Sequence, residues 1–233
     1  MKAELISCLG DDLTVVNSAR VSFDKESDWK KNTLTGKELH DKDKKLISYL
    51  AKNNHFTPFT HCSITLREEV PIFVARQRFK HTVGFTYNEV SRRYVDDAPK
   101  FYIPDEWRGK SEDAKQGSSN TIIDVNPTLG NGKKLLVDNY KAAIDNCLWT
   151  YDYLLNIGVC PEQARMVLPQ STYTSYYVTG SLAAFARAYK LRSSFDAQKE
   201  IRDLADKWND IISVLYPESW KALTTKVNEK VIH

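Results

Sequence analysis

Residues 62–79, CSITLREEVPIFVARQRF, contain both kinds of element from which the fold is built. Residues 62–67 alternate apolar and polar side chains, which predicts a strand with one buried face. Pro71 suits the first turn of a following helix, because an N–H there would have no partner within the helix. We expect that helix to pack through Phe73, Ala75 and Phe79 and to end at Gly84.

Outside this stretch, strands and helices alternate along the chain in an irregular order. Apolar patterns predict strands at 2–9 and 172–179. They predict helices at 12–20, 44–53, 134–157, 161–168, 181–191 and 196–215, the last of them stopped by Pro217. Because these elements do not repeat as βαβ units, the order predicts an α+β fold in one domain over residues 1–233.

Two polar stretches interrupt the periodic segments. Residues 24–45 are charged and poor in apolar side chains, which predicts a solvated loop leading into a helix. Residues 104–132 are rich in Gly, Ser, Asn and Lys and predict a loop excursion. Loops of this length are often lids or binding loops, and a disordered surface insertion is the alternative.

The overall composition limits the possible functions. Hydrophobic residues make up 42% and charged residues 27% of the chain, values of an ordinary globular protein. A net charge of +3 is too small for a dedicated nucleic-acid binder. The N-terminus does not resemble a signal peptide, and no apolar run reaches the length of a membrane span, about 20 residues. We therefore expect a protein of the cytoplasm, with neither membrane nor nucleic acid as a partner.

The cysteines indicate a reduced protein. They are Cys8, Cys62, Cys147 and Cys160. None forms a CxxC pair, and none lies at metal-ligand spacing from a histidine, so we expect no disulfide framework and no metal site.

Residues 76–94, RQRFKHTVGFTYNEVSRRY, hold the densest polar cluster. Its only acid is Glu89, so the local charge is positive and favours a phosphate. The alternatives are a basic surface stripe, or arginines paired with acids from elsewhere in the fold. Asn88, Glu89 and Ser91 add an amide, a carboxylate and a hydroxyl, groups that can hold a nucleotide beside the guanidinium groups that follow.

This cluster resembles the signature of the flavin-dependent thymidylate synthases. That signature reads Arg-Gln, two residues, Arg-His-Arg, then after seven residues a Ser, with Asn-Glu just before it and Arg-Tyr just after. The chain matches it at Arg76-Gln77, His81, Asn88-Glu89, Ser91 and Arg93-Tyr94. Further similar segments lie before and after the signature, in the family's order, at 19–23, 55–61, 71–74, 164–169 and 191–192. The resemblance therefore covers residues 10–198.

The chain departs from the family pattern on the flavin side. The Arg-His-Arg trio is Lys80-His81-Thr82 here, with one extra residue between His81 and Ser91. Lys80 keeps a cation but lacks the flat guanidinium fork, and Thr82 has no charge. Arg78 stands where the family commonly has an aromatic residue, and Arg187 where it often has Asn. Either arginine could restore the lost positive charge for FAD.

The resemblance implies a fold, a reaction and an assembly. The fold is a twisted, mostly antiparallel sheet flanked by helices. The reaction is the reductive methylation of dUMP to dTMP, with methylene-tetrahydrofolate as the carbon donor and FAD reduced by NADPH. The assembly is a homotetramer with active sites shared between subunits.

The resemblance also implies roles for individual residues. The contacts to dUMP are Gln77, Lys80, Glu89, Ser91, Arg93, Arg165 and Arg192. The contacts to FAD are His55, Thr57, Lys80, His81, Thr82, Glu89 and Arg187. Arg192 is the catalytic residue, because a guanidinium beside the uracil oxygens stabilises negative charge on the ring.

Each of these residues also has a structural interpretation. Arg165 and Arg192 could each form a structural salt bridge, and His55 could be an ordinary loop histidine. Ser91 is a binding residue rather than a nucleophile, because the sequence places no clear base beside it. Cys160 is the one cysteine for which we expect partial exposure, since it precedes a helix, but it lacks the flanking residues of the thymidylate synthases that use a cysteine nucleophile.

Two rival functions stay open. The first is a single-stranded nucleic-acid binder that uses the cations and aromatic rings of residues 76–102 as a stacking platform. The second is an inactive homologue that binds a nucleotide but has lost flavin binding through Lys80 and Thr82.

Overall fold

The computed structural model describes residues 1–32, 36–94, 97–111, 118–123 and 132–225. The strands are β1 (Lys2–Leu9), β2 (Lys30–Asn32), β3 (Gly36–Glu38), β4 (Ser63–Pro71), β5 (Phe85–Glu89), β6 (Arg108–Lys110), β7 (Ser118–Ile122) and β8 (Tyr173–Ser181). The helices are α1 (Asp12–Arg20), α2 (Asp41–Lys52), α3 (Ile72–Arg78), α4 (Gly132–Asn156), α5 (Pro161–Ala164), α6 (Leu182–Arg192), α7 (Lys199–Leu215) and α8 (Pro217–Thr224).

A four-stranded antiparallel sheet in the order β1-β4-β8-β5 is the centre of the fold. Strands β4 and β8 pair along their whole lengths, from Ser63 opposite Ser181 to Pro71 opposite Tyr173. The alternation predicted for 62–67 continues further than expected, so that Glu68 and Val70 face the core with Leu66. The α+β fold with an antiparallel sheet is therefore confirmed.

Helices α6 and α7 supply much of the core that covers the sheet. Helix α7 buries Ile201, Leu204 and Trp208 on one face, as the spacing of its apolar residues predicts. Helix α6 buries Leu182 and Phe185 in the same cluster. No helix in the described ranges is both long enough and apolar enough to cross a membrane.

The sequence predictions were wrong at several boundaries. Helix α3 ends at Arg78 instead of Gly84, and residues 79–84 form a turn that leads into β5. Gly84 has a φ of +78° in this turn, where a side chain would also meet Ala184. Strand β5 was missed because its residues, FTYNE, were interpreted only as part of the polar cluster. Helix α8 was missed because Pro217, which follows the end of α7, also begins a new helix.

The two polar stretches contain more structure than expected. Strands β2 and β3 form a short antiparallel hairpin within residues 24–45, and α2 begins at Asp41 instead of residue 44. Strands β6 and β7 form another hairpin within residues 104–132. The rest of that predicted loop, 112–117 and 124–131, lies outside the described residues. Whether the excursion acts as a lid stays a prediction.

Candidate active site

A cavity of about 280 Å³ lies where β5, β8 and the segment after α5 meet. This volume is close to the lower end for small-molecule sites, about 300 Å³. The cavity is lined by Ile72, Glu89, Val90, Ser91, Arg92, Arg165, Leu168, Thr172, Tyr173 and Thr174. It brings together three of the residues predicted to contact dUMP, although Arg165 is far from Glu89 and Ser91 in sequence.

The charges around this cavity suit an anion. The exposed Arg165 side chain forms no hydrogen bond or ion pair with any described residue, so the structure gives no support to a structural salt bridge there. Arg93 lies beside the cavity, with Nε 3.2 Å from Ser91 Oγ and Nη1 3.3 Å from Glu162 Oε1. The Glu89 carboxylate accepts a hydrogen bond of 2.6 Å from the Thr174 hydroxyl, which fixes the cavity's acid.

Ser91 has the surroundings of a binding residue. Its hydroxyl accepts hydrogen bonds from the main-chain N–H and from Nε of Arg93. Within the described part of the chain, no histidine or carboxylate is hydrogen-bonded to it. A serine without an adjacent base is a poor nucleophile, which agrees with the role predicted from the sequence.

A second cluster joins the C-terminal ends of α3 and α6. Arg192 Nε donates a 2.8 Å hydrogen bond to His81 Nε2, and Arg192 Nη2 donates one of 3.2 Å to the Gln77 carbonyl oxygen. Among the described residues, no carboxylate pairs with Arg192. The structural salt bridge considered for this arginine is therefore absent from that part of the chain, and the guanidinium keeps donors for a ligand.

The His81 ring is neutral in this arrangement, because Nε2 must accept the hydrogen bond from Arg192. Burial, and then the positive charges of Arg192, Arg78 and Arg187, lower the pKa of His81 to about 4. Burial and then Arg78 also lower the pKa of Arg192.

The depressed pKa of His81 predicts a pH dependence of stability. The unfolded chain binds a proton at His81 below pH 6.5, whereas the folded chain does so only near pH 4. The contribution of His81 is therefore fully present above pH 6.5 and is lost as the pH falls to about 4. We expect the free energy of unfolding, measured with urea, to fall less between pH 7.5 and pH 4.5 in His81→Gln than in the unmodified protein. Equal pH dependence in both proteins would contradict this.

A third region lies beside the predicted flavin residues. His55 and Thr57 flank a crevice of about 200 Å³, which their neighbours Asn54 and Phe56 line together with Arg187. The remaining lining residues are Leu50, Ala51, Phe59, Ala183, Ala186, Lys190 and Leu223. The His55 ring packs edge-on against Tyr49, with ring centroids 5.9 Å apart. The crevice combines an exposed aromatic ring with two cations.

The single chain does not bring all the predicted dUMP contacts together. Glu89 lies at one end of β5, and the turn that holds His81 lies before Phe85, at its other end. Gln77, Lys80 and Arg192 are not among the residues that line the cavity of Ser91 and Arg165, and Lys80 is exposed in the turn.

The family model described as "Thymidylate synthase complementing protein" matches residues 4–218. The chain belongs to this family. A flavin-dependent thymidylate synthase of Thermosipho africanus is 37% identical over 218 residues, covering 94% of this chain and 88% of the relative. One from Thermus thermophilus is 34% identical and covers 94% of this chain and 73% of the relative.

Solved structures agree with this assignment. The chain is similar to the UMP/dUMP methylase PolB from Streptomyces cacaoi bound with 5-Br UMP, with a TM-score of 0.77 and 27% identity over 96% of this chain and 93% of that one. The same methylase bound with 5-Br dUMP also gives a TM-score of 0.77, with 28% identity. The resemblance inferred from the signature is confirmed.

Arg78 has a different role in this family member from the one proposed from the sequence. Its side chain is fully buried, and Nε lies 3.2 Å from Glu68 Oε2. The hypothesis that Arg78 restores charge for FAD is wrong, because its charge is enclosed in the core. The sequence signal for a buried partner of Arg78 was Glu68, because the alternation of β4 places this acid on the buried face of the strand.

Cysteine exposure does not identify a nucleophile in this family member. Cys160 is exposed, but Cys8 is exposed as well, so the expectation of a single exposed cysteine was wrong. Cys62 is buried, and its burial raises the pKa of the thiol to about 12.

Proposed function

We propose that this chain is a flavin-dependent thymidylate synthase that methylates dUMP to dTMP. The observation that carries the proposal is the pair of arginines at the two clusters. Arg165 and Arg192 both have guanidinium groups without a carboxylate partner in the described part of the chain, as an anionic substrate requires. The names of the relatives and the nucleotide ligands of the similar methylase support the same chemistry.

The cavity at Arg165 suits the phosphate and sugar of dUMP. Arg165 and Arg93 supply cationic donors to the phosphate, and Glu89 and Ser91 supply oxygens that can bind the single free hydroxyl of the sugar. Arg192 acts on the uracil ring, where its guanidinium stabilises negative charge as carbon 5 becomes nucleophilic.

The separation of the clusters supports a shared site. Gln77, Lys80 and Arg192 are not among the residues that line the cavity of Arg165. We infer that a homotetramer brings them to a neighbouring subunit's cavity, so that Arg192 of one subunit acts on dUMP held by another. An active monomer would contradict this assembly.

The crevice beside His55 and Thr57 suits FAD. Arg187 and Lys190 offer cations for its pyrophosphate, and Phe56, which is 64% exposed, offers a surface for a ring. His81, Thr82, Lys80 and Glu89 complete the proposed flavin contacts. Bound FAD, reduced by NADPH, supplies the reducing equivalents for the methylation, with methylene-tetrahydrofolate as the carbon donor.

The family match over residues 4–218 disfavours the rival nucleic-acid function. A stacking platform needs exposed cations and rings. Burial removes Arg78 from such a platform, whereas Lys80, Arg93 and Tyr94 are exposed. The other rival, an inactive homologue, is distinguished from an active enzyme by the experiment that follows.

The deciding experiment uses the full chain, reconstituted with FAD. We expect a yellow protein whose flavin absorbance bleaches on addition of NADPH. We also expect tritium release from dUMP labelled at carbon 5 when methylene-tetrahydrofolate is present. A colourless protein that cannot be reconstituted would support the inactive homologue, and a flavin-loaded protein without tritium release would overturn the proposed reaction.

Arg187→Ala tests the proposed flavin crevice. Loss of an exposed guanidinium that pairs with a phosphate should raise the dissociation constant for FAD by about tenfold, the cost of one charge-assisted hydrogen bond. The measurement is FAD titration followed by flavin fluorescence. Lys42→Ala, which removes an exposed cation from α2, is the control and should leave affinity unchanged. Equal affinity in both variants would remove Arg187 from the site.

A further inference from the structure

The Tyr87 hydroxyl connects the core to the turn at residues 79–84. It lies 2.7 Å from the His81 carbonyl oxygen and 3.2 Å from the Arg78 carbonyl oxygen, either of which can accept its proton. It also accepts a hydrogen bond of 2.7 Å from Arg78 Nη1. Because Arg78 occupies the acceptor side, the hydroxyl proton is directed to the main chain of the turn.

Arg78 is itself held firmly in the core. Its guanidinium carbon lies 4.4 Å from the ring centroid of Phe85 and 4.6 Å from that of Trp208. Its partner Glu68 accepts hydrogen bonds of 2.6 Å from the Tyr176 hydroxyl and 2.8 Å from Trp208 Nε1. The Arg78 guanidinium that contacts Tyr87 is therefore held by buried groups of four elements, α3, β4, β8 and α7.

The turn itself has few side-chain anchors. Lys80 and Thr82 are exposed, and their side chains form no hydrogen bonds with described residues. The turn also lies in the segment that holds one residue more than the family signature, between His81 and Ser91. Among the described residues, two side chains from other elements hold the main chain of the turn: the Tyr87 hydroxyl at the His81 carbonyl oxygen and Arg187 Nη2 at the Val83 carbonyl oxygen. The Tyr87 contact is the one at His81, whose ring accepts the Arg192 hydrogen bond.

We propose that Tyr87 is a positioning residue. It holds His81 in place, and the His81 ring in turn holds Arg192 in the geometry that the reaction uses. The chain of contacts runs from Glu68 through Arg78 and Tyr87 to His81 and then Arg192. The part that concerns Arg192 rests on the proposed function. The part that concerns His81 does not.

Tyr87→Phe tests this directly, because it removes the hydroxyl and keeps the ring. The ring contacts with Phe79 and Tyr176, at 5.0 and 6.1 Å between centroids, do not need the hydroxyl. The first readout is NMR titration of the labelled His81 ring in the folded, ligand-free protein. The charges that face this ring are those of Arg192, Arg78 and Arg187.

Release of the turn should let the ring leave Arg192 for water. We expect the pKa of His81 to rise from about 4 towards 6.5, by at least one pH unit. The second readout is kinetic: kcat should fall about tenfold with the KM for dUMP changed less than twofold, since an interaction made only in the transition state is lost. A merely structural role would lower stability and leave the His81 titration unchanged.

Two further variants complete the test. Tyr177→Phe, on an exposed tyrosine of β8, is the control and should change neither readout. Arg78→Lys keeps a cation beside Glu68 but lacks the second nitrogen that reaches Tyr87, so it should shift His81 in the same direction.

The possible outcomes separate this proposal from the proposed function. An unshifted His81 pKa in folded Tyr87→Phe overturns the positioning role. A shifted pKa with unchanged kcat overturns the link to Arg192. Absence of activity in the unmodified protein refutes the proposed function, while the titration still decides the role of Tyr87.

Discussion

Arg192→Ala lowers kcat for dUMP methylation by about 10²–10³-fold, the usual effect of removing one donor that stabilises transition-state charge. Among the described residues, the Arg192 guanidinium donates to the His81 ring nitrogen and the Gln77 main-chain carbonyl oxygen and pairs with no carboxylate. The substitution removes no ion pair with a described residue, so the fold should persist. Tritium release from dUMP, with FAD and methylene-tetrahydrofolate at saturation, is the measurement.

The controls distinguish charge from geometry. Arg192→Lys keeps the charge but loses the planar fork, so we expect kcat between those of Arg192→Ala and the unmodified protein. Arg67→Ala removes an exposed arginine on β4 that is hydrogen-bonded to Ser175, and it should keep kcat within about twofold, because surface substitutions have small effects. A kcat for Arg192→Ala within threefold of the unmodified protein would remove this residue from the catalytic role.

Arg78→Met lowers the free energy of unfolding by about 3–5 kcal/mol, because it leaves the buried Glu68 carboxylate without its ion-pair partner. Both side chains have zero exposure, so water does not replace the lost partner. Urea unfolding followed by circular dichroism at a fixed protein concentration measures the effect, since assembly would make stability depend on concentration.

The matched control is Arg76→Met, two positions earlier on the same helix. Arg76 is exposed, and its loss should change stability by less than about 0.5 kcal/mol. The double variant Glu68→Gln/Arg78→Met should be more stable than Arg78→Met alone, because a neutral amide replaces the unpaired charge and can still accept from Trp208. Equal stability of the two arginine variants would show that the buried pair contributes little.

Local sequence patterns predicted the elements whose side chains repeat regularly. The alternation at 62–67 identified β4, and the three- and four-residue spacing of Ile201, Leu204 and Trp208 identified α7. These patterns are readable because burial on one face depends on residues close together in sequence. Strand β5 was not readable, because it is an edge strand that includes Asn88 and Glu89, where only pairing with β8 makes it a strand.

The sequence by itself determined the family, because Asn88-Glu89, Ser91 and Arg93-Tyr94 match its signature residue by residue. It could not determine which arginines are free to bind a ligand. Arg78 and Arg192 have the same side chain, but Arg78 is enclosed with Glu68, whereas the hydrogen bonds of Arg192 to described residues go to the His81 ring and the Gln77 carbonyl oxygen. Burial and pairing between residues as distant as Glu68 and Trp208 are set only when the sheet and helices pack, so tertiary structure alone decided this difference.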